Sequence, residues 1–127
     1  MRKAVFLNHS FYYVIIGYFI LLIGWNSYAV FTGNYIGLIP IVIHLLLLIL
    51  IITKNSISRI ALKIFAVVVL IGASSLKLIS ALLKTFIGEF STVNNDDLIF
   101  NLLKLTIGVI ILNYVNKTIR IESVSNR

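Results

Sequence analysis

Lys77 stands well inside an apolar run, Ile60 to Phe86, and no other feature of the chain restricts its folding as much. At about 1.5 Å rise per residue this run makes a helix of roughly 40 Å, longer than the ~30 Å hydrocarbon core of a bilayer. The excess must tilt or stand outside the core. Lys63, Val67, Leu70, Ser74, Lys77, Ala81 and Lys84 recur at helical spacing, which predicts one polar or small stripe flanked by Ile, Leu, Val and Phe. A lysine near the bilayer centre costs about 2.5–3.5 kcal/mol on insertion scales unless it snorkels or finds partners. The stripe is therefore expected to face other helices and not lipid.

Three more apolar runs flank this one. Hydrophobic residues make up 60% of the 127, and the mean hydropathy of +1.06 is too high for a water-soluble domain of this length. Arg2 and Lys3 precede Phe11 to Phe31, which exceeds the ~7–15 residues of a signal-peptide core and so predicts a retained membrane helix, even though Ser27-Tyr28-Ala29 resembles a cleavage site. Gly17 and Gly24 lie on one face of it, where they would admit a close neighbour. Tyr12, Tyr13, Trp25, Tyr28 and Tyr35 sit near the ends of the spans, where interfacial aromatic residues gather.

Thr32-Gly33-Asn34 is a minimal turn, so the second span, Tyr35 to Thr53, must run back beside the first. Pro40 falls in its opening turns, where a missing N–H is tolerated. A basic connection at Lys54 to Arg59 leads to the third span. The loop Gly88 to Asp97 holds Glu89, Asp96 and Asp97, three of the four acidic residues, and precedes a fourth span, Leu98 to Val115. The polar tail from Asn116 is expected to fray, and no strand alternation is evident. Phe31-x-Gly33-Asn34-Tyr35 echoes Phe86-x-Gly88-Glu89-Phe90, as a duplicated hairpin would. The pattern predicts an all-α, four-transmembrane-helix antiparallel bundle, one integral membrane domain with helices at about 11–31, 35–53, 60–86 and 98–115.

The net charge of +7 is located at the ends of the spans instead of along one exposed face, which argues against nucleic acid as partner. With four crossings, Arg2, Lys3, Lys54, Arg59, Lys63, Lys117, Arg120 and Arg127 all fall on one side, against Lys84 alone flanking the other. The positive-inside tendency places both termini in the cytoplasm and the protein in a cytoplasmic (inner) membrane.

Counting about 1.5 Å per residue from the outer helix ends puts Asn26 roughly 8 Å, His44 and Lys77 about 13 Å and Lys104 about 9 Å deep, with Asn101 shallower. Together with Ser74 and Lys84 these residues outline an outward-facing polar pocket. If the third and fourth helices meet, Asp97 or Glu89 can pair with Lys84 and Asn101 can hydrogen-bond to a lysine. Snorkelling of Lys84 and Lys104, with Lys77 paired inside the bundle, is the alternative.

Catalysis and cofactors are not expected. His9 and His44 are too far apart to share a metal, and there is no cysteine, no carboxylate pair and no phosphate-cradling glycine loop. Ser74 and Lys77 could form a serine–lysine pair, yet serine is also a routine packing residue of membrane helices. No span carries an embedded Asp or Glu, which disfavours a carboxylate-based proton or cation antiporter. The expectation is a non-enzymatic binding or accessory role in contact with membrane lipid and either a membrane protein partner or further copies of the chain. The alternative is an oligomeric transporter or channel for a small anion.

Overall fold

The computed structural model describes residues 2–88 and 94–123. Four long helices dominate, each apolar enough to cross a membrane: α1 (His9–Phe31), a single 3₁₀ turn (Tyr35–Gly37) continuing into α2 (Leu38–Ile52), α3 (Ser58–Phe86) and α4 (Asn95–Thr118). Two short strands, β1 (Arg2–Phe6) and β2 (Ile119–Ser123), complete the chain. The chain divides into two compact units, Met1–Ala61 with Thr118–Arg127, and Leu62–Lys117.

In the first unit the Asn8 side chain accepts a hydrogen bond from the Phe11 N–H at 3.0 Å and starts α1. Phe11, Ile15 and Phe19 recur every fourth residue as its buried row; His44, Leu47 and Ile51 form that of α2, and the two helices pack as a hairpin. Gly37 makes the close approach possible, since a Cβ there would stand 3.1 Å from both the Asn26 carbonyl and Val30 Cγ2. Gly17 and Gly24, expected to do this, have open space around them. Small residues on one face permit a neighbour without supplying one, and α2 docks on another face.

The helix ends share one device. At α1 the N–H of Gly33 bonds to the Val30 carbonyl and that of Asn34 to the Ala29 carbonyl, with Gly33 at φ +98°; this is the Schellman cap. Gly88, at φ +86°, bonds to the Thr85 carbonyl in the same position after α3. The echo between the two sequence stretches thus coincides with a shared cap; Glu89 and Phe90 of the second lie outside the described residues. At α2 the same cap is built on Lys54, the one non-glycine residue at positive φ among those described (φ 51°), with Lys54 N–H to Ile51 O and Asn55 N–H to Leu50 O. Lys54→Gly is expected to raise stability by about 1 kcal/mol by removing the left-handed strain, read as a higher unfolding midpoint in detergent.

The sheet is a correction to the purely helical expectation and to the frayed tail. β1 and β2 pair antiparallel with Arg2 opposite Ser123, Lys3 opposite Glu122, Ala4 opposite Ile121, Val5 opposite Arg120 and Phe6 opposite Ile119. Ala4 and Phe6 are buried while Lys3 is exposed, and Ile119-Arg120-Ile121-Glu122 alternates at period two, a signal four residues long. Ala4 N–H also bonds to the Lys54 carbonyl at 2.8 Å, and Lys3 bridges Asn55. Both terminal strands and the connection after α2 are thereby held at one end of this unit, with Arg2, Lys3, Lys54 and Arg120 among them. Arg127 lies outside the described residues.

The second unit is α3 from Leu62 onward packed with α4. Phe65–Gly72 of α3 is a π-helix, still marked by the Ala73 N–H bonding to the Val68 carbonyl five residues back. The β-branched run Val67-Val68-Val69 weakens α-helical packing at its centre, and Gly72 accommodates the Val67 carbonyl, 3.1 Å from where a Cβ would stand. A wider turn takes more residues, and the buried residues of α3 are Ser58, Leu62, Phe65, Ala66, Leu70 and Ser74, with Phe65 and Ala66 five and four residues before Leu70 across the π segment. Val67, expected among them, is exposed, and Lys63 is half-buried. The cause is the change of helical period between Lys63 and Ser74, which a constant 3.6-residue count cannot follow. Against this segment lies Gly108 of α4, where a Cβ would meet Leu70 Cβ at 2.7 Å and Ile71 Cγ1 at 2.9 Å.

Candidate functional site

Beyond the π segment α3 returns to α-helical winding, and Lys77, Ala81 and Lys84 come onto one face at spacings of four and three. Asp97 and Asn101 are stacked in the same way on α4. The two faces enclose an open cleft of about 220 Å³, with Ser80 and Leu98 completing its walls and Asn94 at its end. All of its lining belongs to the second unit.

Local chemistry sets each wall. Asn94 accepts a hydrogen bond from the Asp96 N–H at 3.0 Å through its side chain, and its carbonyl receives the Leu98 N–H, which starts α4. Asp96 and Asp97 in the first turn suit the positive end of the helix dipole, and Lys84 in the last turn of α3 suits the negative end of that helix. Asn101 is buried, with its amide nitrogen donating to the Asp97 carbonyl at 2.7 Å. Lys77 and Lys84 are exposed to the cleft, and neither forms an ion pair among the described residues, Asp97 included. Glu89, the other carboxylate expected to meet Lys84, lies outside the described residues.

The residues singled out in the sequence separate into groups. Lys77, Lys84 and Asn101 share the cleft. Lys104 is half-buried outside the lining, its Nζ 4.6 Å from the centre of the Phe100 ring in a cation–π contact. Ser74 is buried, and its hydroxyl has no hydrogen-bond partner among the described residues, so it is not joined to Lys77. Asn26 and His44 belong to the first unit. The Asn26 amide donates back to the Leu22 carbonyl at 2.7 Å, and the His44 ring packs 5.8 Å from that of Phe19, centre to centre. Ser80 and Asn94 were not among the expected pocket residues; the spacing of three from Lys77 to Ser80 and a capping asparagine two residues before Asp96 are the signals that could have found them.

The cleft therefore offers two ammonium groups, a hydroxyl, amides and one carboxylate. Among the described residues no three His, Cys, Asp or Glu side chains gather as a metal would need. No protein-family model, no curated protein and no solved structure matches the chain.

Proposed function

We propose that the chain is a four-span protein of the cytoplasmic membrane with both termini inside, and that it acts as a binding or accessory protein, without chemistry of its own, by holding a compact anionic group in the cleft beside Lys77. The observation that carries this is the pairing of Lys77 and Lys84 in one cleft against a single carboxylate, Asp97, with which neither forms an ion pair. An ammonium group on an apolar helix is costly, and an anionic ligand would offset that cost. At about 220 Å³ the space is below the roughly 300–1,000 Å³ that drug-sized ligands occupy, which suits a phosphate or carboxylate group. The two strands hold the basic termini and Lys54 together, in keeping with an even number of crossings and a cytoplasmic basic end.

Purified protein titrated with phosphatidylglycerol should be stabilised against thermal unfolding by about 2.7 kcal/mol at a hundredfold excess over Kd, and phosphatidylcholine should have no such effect. Reconstituted vesicles should show no flux of chloride or phosphate above the lipid background. Protein-dependent flux would establish a transporter instead, and equal responses to the two lipids would remove the anion from the account.

A further inference from the structure

β1 is flanked on both sides, by β2 on one edge and by Lys54 and Asn55 on the other, so β2 carries the open edge of the sheet among the described residues. The hydrogen-bond parity of that edge follows from two contacts. Leu7 N–H bonds to the Thr118 carbonyl and Ala4 N–H to the Lys54 carbonyl. Leu7 with Thr118 continues the register of the sheet, so Val5 with Arg120 and Lys3 with Glu122 are the hydrogen-bonded pairs. The alternate residues Ile119, Ile121 and Ser123 direct their backbone groups to the outer edge.

We propose that this edge pairs with the same edge of a second copy of the chain, antiparallel about a two-fold axis through Ile121. Three registers near the middle of β2 keep a two-fold axis and satisfy that parity or its charges differently. An axis at Arg120 sets Arg120 against its own copy, and one at Glu122 sets Glu122 against its own copy. An axis at Ile121 makes Ile121 a reciprocal hydrogen-bonded pair and brings Arg120 opposite Glu122 of the second copy, twice, at non-hydrogen-bonded positions where side chains are closest. Arg120 and Glu122 are both exposed. The strand is thus complementary to itself in charge in one register, as an isologous interface requires. Pairing would also cover the open edge, which otherwise invites association with any strand.

The chain has no native cysteine, so Ile121→Cys reports the contact directly. In the full-length protein in lipid, mild oxidation should convert this variant to a disulfide-linked dimer, because facing residues of a hydrogen-bonded pair are about 5.5 Å apart at Cα, within disulfide range. Lys3→Cys, on the covered strand, should remain monomeric. Adding Arg120→Glu, or separately Glu122→Arg, to Ile121→Cys should lower cross-linking about tenfold by setting like charges opposite each other twice. Co-expression of these two variants should restore it as a mixed dimer. Folded Ile121→Cys that stays monomeric on oxidation, cross-linking indifferent to the charge changes, or capture of a different polypeptide at Ile121→Cys would each overturn the proposal.

Discussion

Gly108→Leu is expected to separate α4 from α3 and abolish cooperative unfolding of the second unit. A Cβ at this position meets Leu70 Cβ at 2.7 Å, and a Cβ cannot move away without its backbone. Ile71 Cγ1 at 2.9 Å and the Ala66 carbonyl at 3.3 Å close the remaining directions. Alanine alone should cost about 1–3 kcal/mol, the usual range for overpacking; leucine adds three more carbons to a space that lacks room for one. The cleft lies on the same two helices, about two turns from Gly108 toward Asn94, so anion binding should be lost together with the packing. Unfolding midpoints in detergent and the lipid titration check both consequences. Gly17→Ala is the contrast, since nothing stands within 4 Å of that glycine and alanine gains up to about 1 kcal/mol in helix propensity.

Lys77→Met should weaken anion binding at least about tenfold, and Lys77→Met with Lys84→Met should abolish saturable binding. A hydrogen bond to a charged group contributes roughly 1.5–3 kcal/mol, or about 10–150-fold in affinity. Stability should move the other way. Neither lysine supports an ion pair among the described residues, and an apolar side chain of similar length avoids the insertion penalty of about 2.5–3.5 kcal/mol. The double variant should therefore keep its helical circular dichroism and unfold no earlier than the parent in the absence of anion. Were Lys77 a structural partner inside the bundle, the same substitution would lower the midpoint, so stability and affinity together decide between the two roles.

The four long helices could be located from sequence because each is a long, nearly uninterrupted apolar run whose limits are marked by charges, proline or glycine. Their expected limits differ from those of the four helices by up to three residues at each end. The same residue spacing brought Lys77 and Lys84 onto one face, since both lie after the π segment, and Asn101 onto the facing helix. Ser80 and Asn94 were within reach of that spacing and of capping chemistry.

What the residues determined alone was hydropathy, the helical runs and the turns between them, all of which depend on neighbours a few positions apart. The tertiary structure decided the rest: that Gly37 and Gly108, and not Gly17 and Gly24, are the points of close approach; that the wider turn at Phe65–Gly72 changes which side of α3 is buried; and that Arg2–Phe6 finds Ile119–Ser123. Each of these depends on a partner far along the chain. A glycine is a contact only where another backbone or Cβ arrives, and a five-residue strand is a strand only when its hydrogen bonds are answered by another.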